Sequence, residues 1–570
     1  MKTTIDAYLK EWTQEKMPPP WQTYTIQNRP GSGNAHIVQK VYEGDFEFDI
    51  LYMPAEAATV PTNEQLSAKI AEVRKAFDER YGETLAPKRP FADKEHLRFS
   101  KSLFSNLIGG IGFFHGEQVI DRSYAAEYDE DNEGFWTEAA DARARNEQKS
   151  EGPYELFTSV PSRPFFPRGF LWDEGFHLLP IVDWDAEVAM QIVQSYFLTM
   201  DEDGWIPREQ ILGAEARSKV PPEFQVQYPH YANPPTLFMV LEALLDRATA
   251  KPASDVSTSQ QVLGISSLAE PGTFKAWLKQ LYPLLQRNFD WYRRTQSGDM
   301  KSYDRPEPLF SQREAYRWRG RTPSHILTSG LDDYPRPQPP HPGELHVDLI
   351  SWMGMMSRSI KRVADFLGEK EDTEKYAKIE EAIRHNVNDI HWSKKDKTYC
   401  DVTIDDYEDS VHVCHKGYIS LFPFITGLMG PDHPHLKDML DLIASEDELW
   451  SPFGIRSLSK QDEFYGTEEN YWRSPVWMPI NYLILTNLLN IAQQSGPQQQ
   501  RASKMYSALR QNLVKTVFES WQETGFAWEQ YNPDTGNGQR TAHFTGWTAL
   551  VVKVMNFPEL DAKGRARDEL

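Results

Sequence analysis

Apolar residues recur every three or four positions along most of the chain from about residue 98 onward, which is the spacing of helices that bury one face. The clearest run comprises Leu349, Trp352, Met356, Ile360, Val363 and Leu367. Gly368 follows it as a predicted C-cap, and Ser474-Pro475 predicts the start of a later helix. In total the pattern predicts twelve helices, near residues 99–111, 172–182, 186–200, 235–249, 273–294, 349–367, 371–388, 416–428, 434–445, 474–491, 500–517 and 544–557. Twelve helices, taken as six hairpins, close into a double ring.

The N-terminal part of the chain has a different pattern. Residues 36–54 hold two β-type runs around Glu43-Gly44 and predict a hairpin. Because two strands cannot make a sandwich, we interpret this region as the remnant of a larger β domain. The predicted organisation is a mainly α protein with a β-containing remnant at 1–64, a helical linker at 65–97 (its helix near 65–81) and a helical domain at 98–570.

Charge and missing motifs exclude several classes of function. The chain of 570 residues has a net charge of −22, which argues against a nucleic-acid partner. No run of about 18 apolar residues predicts a membrane span, and nothing indicates an oligomer. No G-x-S-x-G elbow, phosphate loop, G-x-G-x-x-G or H-E-x-x-H motif occurs, so serine hydrolase, nucleotide and zinc-protease functions lose support. The acidic stretch 401–409 offers the oxygen ligands that Ca²⁺ takes, but a solvated loop is the favoured interpretation.

The cysteines and the termini bear on where the protein resides. Cys400 and Cys414 are the two cysteines of the chain, and the sequence leaves a bridge and two free thiols equally open. The tail 567–570, Arg-Asp-Glu-Leu, differs from K-D-E-L only in its first residue, which predicts retention in the endoplasmic reticulum lumen. The N-terminus lacks the apolar run of a signal peptide, so we expect an entry signal or anchor to be absent from this chain.

Carboxylates beside aromatic residues are the pattern that remains. Six such clusters occur, mostly between predicted helices, at 167–177, 204–210, 329–334, 343–348, 471–473 and 528–531. Aromatic faces stack on the C–H surfaces of sugars, while carboxylates, arginines and amides hydrogen-bond to hydroxyls. Hydrolysis of a glycosidic bond needs two carboxyl groups across that bond, one protonated and one ionised. The clusters therefore predict a carbohydrate site, although spacing alone does not identify the two carboxyls.

Long stretches of the chain resemble the catalytic domain of glycoside hydrolase family 63, the family of the processing α-glucosidases I (mannosyl-oligosaccharide glucosidases). The matching stretches are PRGFLWDEGFHLLP at 167–180, GWIPREQILGAEARSKVP at 204–221, QYPHYANPPTLF at 227–238, SGLDDYPRP at 329–337, NYWRSPVWMPINYL at 470–483 and WEQYNPDTGNGQRTAHFTGW at 528–547. The resemblance covers about 98–556 and implies an (α/α)6 barrel preceded by a β-sandwich domain. That fold agrees with the twelve predicted helices and with the N-terminal remnant.

The resemblance also implies roles for individual residues. Asp332 of the SGLD element is the expected general acid, with Asp333 as its rival, and Glu529 of the E-Q-Y element is the expected general base. A substrate-binding stretch of animal members, E-R-H-L-D-L-R-C-W, is found here at 344–352 without its two arginines, so this protein does not need them for binding. The residues expected to bind substrate are Trp172, Asp173, Glu174, Arg208, Glu209, Asp333, Glu344, His346, Asp348, Trp472, Arg473, Trp528 and Tyr531.

The reaction that the resemblance implies is hydrolysis with inversion, without a metal or an organic cofactor. The two carboxyl groups are expected about 6.5–9.5 Å apart, which leaves room for the attacking water. The implied substrate is the terminal α-1,2-linked glucose of the triglucosylated N-glycan precursor. Two alternatives stay open: a trehalase- or glucoamylase-like α-glucosidase, and a non-catalytic glycan-binding protein on the same barrel.

Overall fold

The computed structural model describes most of the chain from residue 61 onward and short pieces before it. The described residues are 19, 21, 38–50, 53, 61–122, 148–250, 257–265, 271–303, 305–306, 308–561 and 564–566. The chain divides into two units, Met1–Glu72 and Val73–Leu570, and the division falls within the helix Asn63–Thr84, which contains the predicted helix 65–81. The domain boundaries drawn from the sequence stay predictions.

Helices of the second unit alternate along the chain between an inner and an outer ring. The inner segments are Leu171–Trp184, Leu237–Thr249, Val347–Leu367, Ile419–Leu421 continued by Phe422–Ile425, Met478–Gln493, and Trp547–Ala549 continued by Leu550–Asn556. Each inner segment contacts the next, and the last contacts the first, so the ring is closed. The outer helices are Lys94–Ile108, Ala186–Leu198, Pro271–Thr295, Lys370–His391, Leu436–Ala444 and Gln499–Thr524. Counted over the described residues, six segments in each ring confirm the predicted (α/α)6 barrel.

Burial in each ring follows from the sequence of its helices. In the inner helix Leu171–Trp184 every residue except Asp183 is buried, as expected for a helix enclosed on all sides by other elements. The outer helix Lys370–His391 buries a stripe that includes Tyr376 and Ile383, while charged residues cover its opposite face. The core of the protein therefore lies between the rings and within the inner one.

Two predicted helix ends have different outcomes. Gly368 has a φ of +90° and caps the preceding helix with its N–H, so the predicted C-cap is confirmed. The predicted helix start at Ser474-Pro475 is wrong, because the helix begins at Met478. Val476 is held extended by a β-bridge, which keeps the segment before the helix out of helical geometry.

Strands are short and lie in the connections between helices. The longest pair, Gly112–Ile120 and Lys149–Thr158, is antiparallel, and Val226–Gln227 joins it in parallel. This sheet was not predicted from the sequence. The remaining strands pair two by two: Gly169–Phe170 with Glu209–Gln210, Trp392–Ser393 with Thr398–Tyr399, Asp401–Ile404 with Ser410–Val413, Trp450–Ser451 with Gly454–Ile455, and Trp528–Tyr531 with Gly538–Ala542.

The predicted N-terminal hairpin lies partly outside the described residues. Its described part, 38–50, is exposed and contains a bend at Gly44 but no strand. Tyr42, Phe46 and Phe48 stack on one another there. The prediction is wrong for 38–50, since an isolated pair of strands with no sheet or helix to pack on is only marginally stable in water.

Cys400 and Cys414 form a disulfide, which decides the alternative that the sequence left open. The acidic stretch 401–409 comprises a strand and the turn of a hairpin. Two of its carboxylates are engaged within the protein: Asp401 binds Arg336 at 2.9 Å, and Asp405 accepts backbone N–H groups of the turn. The turn from 406 to 409 is exposed. In the described part of the chain, no group of three or more His, Cys, Asp or Glu side chains could hold a metal ion. No described helix is both long enough and apolar enough to cross a bilayer.

Candidate active site

The loops at the N-terminal ends of the inner helices enclose a cavity of about 230 Å³, called the inner cavity below. Asp173 lies in the first turn of Leu171–Trp184, and Trp547 begins the last inner segment, so both helices direct their N-termini toward it. The lining residues are Pro161, Phe166, Phe170, Trp172, Asp173, Arg208, Glu209, Phe224, Leu327, Gly330, Asp332, Tyr471, Trp472, Glu529, Phe544 and Trp547. The structure thus brings together seven residues singled out from the sequence: Trp172, Asp173, Arg208, Glu209, Asp332, Trp472 and Glu529.

Asp332 is positioned by a tight turn. The 3-10 turn Leu327–Ser329 ends at Gly330, which has a φ of +76°. A Cβ atom at Gly330 would lie 2.9 Å from the ring of Trp172, so glycine is needed both for the left-handed backbone and for the close approach. This turn packs on the wall of the cavity and places Asp332 inside it.

The environment of Asp332 favours its protonated form. Burial raises the pKa of Asp332 to about 7. The carboxylates of Asp333, Glu209 and Glu529 act in the same direction, and the guanidinium of Arg208 opposes them. A carboxyl group that keeps its proton up to neutral pH can serve as a general acid.

Glu529 lies on the strand Trp528–Tyr531 with both carboxylate oxygens engaged. Oε1 accepts the hydroxyl hydrogen of Tyr471, and Oε2 accepts the backbone N–H of Thr541 at 3.2 Å. Burial raises the pKa of Glu529 above its ordinary value, and the hydroxyl of Tyr471, the side chain and N–H of Thr541 and the guanidinium of Arg540 limit that rise. Donors fixed on the carboxylate favour its ionised form, which is the form that a general base needs.

Asp333 binds the neighbouring segment 471–473 of the protein. Its two oxygens accept the backbone N–H groups of Tyr471 at 2.9 Å and Trp472 at 2.6 Å. Arg473 donates to the carbonyl of Asp333 at 2.8 Å. Asp333 is not among the residues that line the inner cavity, so the geometry favours Asp332 over Asp333 as the acid.

Polar groups opposite Asp332 suit the hydroxyls of a sugar. Glu209 accepts hydrogen bonds from Arg208 at 3.2 Å and from Arg168 at 3.0 Å, which holds all three side chains in place. Burial raises the pKa of Asp173 well above its ordinary range, which favours the protonated carboxyl, a form that can both donate and accept.

Tryptophans form the apolar wall of the inner cavity. Trp172 lies with its ring centroid 6.2 Å from that of Trp472 and 5.4 Å from that of Trp547. Trp472 is backed by Trp477, with the two rings parallel and 3.9 Å apart. Aromatic residues therefore gather with carboxylates at this site, as the sequence clusters predicted.

Eight of the predicted residues do not line the inner cavity: Glu174, Asp333, Glu344, His346, Asp348, Arg473, Trp528 and Tyr531. Glu174 accepts hydrogen bonds from Ser159, and the indole of Trp528 donates to Thr524. These side chains support the residues of the cavity, and the geometry does not place them against a substrate.

Glu344, His346 and Asp348 belong to a buried ion-pair network beneath the site. Arg321 donates to Glu344 at 2.8 Å, and His346 lies 3.1 Å from the same carboxylate. Arg336 pairs with Asp348. The three residues were expected to bind substrate, but carboxylates buried this deeply are retained by paired cations within the protein, and their predicted contact with sugar is not supported.

A larger cavity of about 600 Å³, called the outer cavity below, adjoins the inner one. The two cavities share Arg208, Phe224, Leu327, Asp332 and Tyr471. The rest of the outer wall is formed by Glu223, Val226, Gln227, Tyr228, Tyr231, Gly320, Thr322, His325, Glu469 and Arg540. Among these lining residues Asp332 is the carboxyl that faces both cavities, whereas Glu529 lines the inner one alone.

The lining residues that were not named individually as candidates for substrate binding or catalysis are mostly apolar: Pro161, Phe166, Phe170, Phe224, Leu327, Gly330, Tyr471, Phe544 and Trp547. Phe170, Gly330, Tyr471, Phe544 and Trp547 stand inside the stretches that carry the family resemblance, so those stretches were the signal. The other four, Pro161, Phe166, Phe224 and Leu327, stand outside them, and nothing in their sequence context distinguishes them from core residues.

A closed (α/α)6 barrel with two carboxyl groups, Asp332 and Glu529, in one aromatic-walled cavity is the arrangement of a glycoside hydrolase. The chain belongs to glycosyl hydrolase family 63: residues 61–557 match the family model described as the glycosyl hydrolase family 63 C-terminal domain.

Relatives agree with this assignment. The chain is 46% identical over 556 residues to a probable mannosyl-oligosaccharide glucosidase of Schizosaccharomyces pombe, covering 95% of this chain and 68% of that protein. It is 40% identical over 559 residues to the mannosyl-oligosaccharide glucosidase of Saccharomyces cerevisiae, covering 92% and 66%. The chain thus spans about two thirds of the length of these relatives. The crystal structure of a GH63 mannosylglycerate hydrolase from Thermus thermophilus shares the fold, with a TM-score of 0.50, 16% identity and coverage of 73% of this chain and 98% of that one.

Proposed function

We propose that this protein is an inverting exo-α-glucosidase that removes the terminal α-1,2-linked glucose from the triglucosylated N-glycan precursor. The substrate is drawn from the two fungal relatives named mannosyl-oligosaccharide glucosidase. The observation that carries the mechanism is the position of Asp332 between the two cavities, with Glu529 in the inner cavity alone.

The proposed general acid is Asp332. The glycosidic oxygen of a bound substrate lies between the glucose that is released and the sugar that leaves, hence at the boundary of the inner and outer cavities. Asp332 lines both cavities and carries a proton below about pH 7, so it can protonate that oxygen as the bond breaks. Asp173 also carries a proton but lines only the inner cavity, where it can bind a glucose hydroxyl.

The proposed general base is Glu529. It deprotonates a water molecule that attacks the anomeric carbon from the face opposite the leaving oxygen, so the configuration inverts. The hydroxyl of Tyr471 and the N–H of Thr541 fix the carboxylate without neutralising it. The separation of the two carboxyls stays a prediction.

The sizes of the two cavities support an exo-acting enzyme. The inner cavity, at about 230 Å³, lies below the range of about 300–1,000 Å³ typical of drug-sized ligands and suits one sugar ring. The outer cavity offers Tyr228 and Tyr231 as stacking surfaces and Arg540 as a donor for the sugars that leave. A branched oligosaccharide can therefore place its terminal glucose inside and the rest outside.

The endoplasmic reticulum lumen is the proposed location. The Cys400–Cys414 disulfide suits an oxidising compartment. The Arg-Asp-Glu-Leu sequence at 567–570, which lies outside the described residues, supports the same compartment.

Hydrolysis of kojibiose, the α-1,2-linked disaccharide of glucose, compared with trehalose tests the substrate proposal. We expect kcat/KM for kojibiose to exceed that for trehalose by at least about 100-fold, because a site built to hydrogen-bond one arrangement of hydroxyls rejects another strongly. Glucose release is measured by a coupled assay, with Glu529→Gln protein as the blank. Turnover of trehalose alone would assign the chain to the trehalase-like alternative, and release from neither sugar nor the triglucosylated glycan would favour the non-catalytic one.

A further inference from the structure

We infer that Tyr471 is a positioning residue that keeps Glu529 ionised and fixes it relative to the loop that carries the acid. Its role rests on the proposed function, since it acts through the proposed base. Tyr471 lines both cavities, and its hydroxyl donates to Oε1 of Glu529.

The backbone around Tyr471 is tied to the acid loop. Its N–H and that of Trp472 donate to the two oxygens of Asp333, and Arg473 donates to the carbonyl of Asp333. Asp333 directly follows Asp332 in the chain. The segment 471–473 therefore holds the acid loop through its backbone and the base through a side chain.

Charged and titratable groups face Glu529 from several elements. The guanidinium of Arg540 lies 5.4 Å from the centroid of the Tyr471 ring and acts to lower the pKa of Glu529. Asp173 and Asp332 line the same cavity, and the carboxylate of Glu529 acts to raise the pKa of each of them. Apart from Arg540, the groups that stabilise the ionised form are the hydroxyl of Tyr471 and the side chain and N–H of Thr541.

Removing the hydroxyl should therefore shift the pH at which Glu529 becomes ionised. We expect Tyr471→Phe to move the acidic limb of kcat/KM upward by about one pH unit, since a hydrogen bond to a charged group is worth about that much. The alkaline limb, which reports the acid Asp332 near pH 7, should stay in place.

The experiment records kcat/KM for kojibiose against pH for the wild type, for Tyr471→Phe and for Tyr506→Phe. Tyr506 is the matched control, because it lies on the outer helix Gln499–Thr524. Its side chain is buried, and its hydroxyl donates to the carbonyl of Pro558. Tyr506→Phe should keep both limbs of the wild type. If Tyr471→Phe does not fold, replacement of Tyr471 by 3,5-difluorotyrosine keeps the shape and strengthens the donor, so the acidic limb should move downward.

An acidic limb that stays where it is in both Tyr471 variants would overturn the inference. A shift of the alkaline limb alone would also overturn it, because Tyr471 would then act on the acid. Failure of the proposed function is distinguishable, since in that case the wild type releases no glucose from kojibiose or Glu529→Gln stays active.

Discussion

Replacing Glu529 with Gln should lower kcat for kojibiose by about 100- to 10,000-fold, the usual contribution of a general base. The amide has the size of the carboxylate and can still accept the hydroxyl hydrogen of Tyr471, so KM should change little. It cannot take a proton from water, so the attacking water is left without its base. Steady-state kinetics of the purified variant measures the loss.

Glu519→Gln provides the matched control for this substitution, because the side chain of Glu519 is 56% exposed and lies on the outer helix Gln499–Thr524. It should retain the kcat of the wild type. Near-normal turnover by Glu529→Gln would show that the base has been assigned to the wrong residue.

Replacing Asp332 with Asn should lower kcat for kojibiose by a similar factor of about 100 to 10,000, because the leaving oxygen is no longer protonated. The loss should depend on the leaving group. Fluoride leaves without a proton, so hydrolysis of α-glucosyl fluoride should fall by no more than about tenfold in Asp332→Asn while it is lost in Glu529→Gln. Comparing the two substrates in the two variants separates the acid from the base.

The stability of Asp332→Asn distinguishes lost chemistry from lost folding. The pKa of Asp332 is raised to about 7, above the ordinary value of the unfolded chain, so the folded state disfavours the ionised form. Asp332 therefore costs stability as the pH rises from about 4 to 7, and the neutral amide should keep or raise Tm at pH 8. Asp203→Asn, with a side chain 81% exposed, is the control. A large fall in kcat for α-glucosyl fluoride, in a variant with unchanged Tm, would contradict the role of Asp332.

The barrel could be predicted from the sequence because each of its helices carries a stripe or a full surface of apolar residues. Helix 349–367 is the clearest case, with its 3.6-residue period and its glycine cap. The sheet of Gly112–Ile120 and Lys149–Thr158 could not be predicted, since its strands are mostly half-exposed and apolar residues do not alternate steadily with polar ones along their sequences. The first residue of the helix Met478–Gln493 could not be predicted either, because a β-bridge at Val476 overrides the helix-start signal of Ser474-Pro475.

The candidate site could be predicted in its chemistry but only partly in its geometry. Sequence motifs led to Asp332 and Glu529, which lie 197 positions apart in the chain and face one cavity in the fold. Motif membership could not separate a residue that lines the cavity from one that supports it: Asp333 binds backbone N–H groups, and Asp348 pairs with Arg336. That distinction depends on which way each side chain points, which only the assembled loops determine.

The anomeric form of the first glucose released from the triglucosylated oligosaccharide tests the central claim most directly. A proton NMR time course, recorded faster than glucose mutarotates, shows the two anomers separately. A single displacement with Asp332 as acid and Glu529 as base predicts β-glucose as the first product, followed by slow appearance of the α anomer. Initial release of α-glucose would mean retention through a covalent intermediate and would contradict the account.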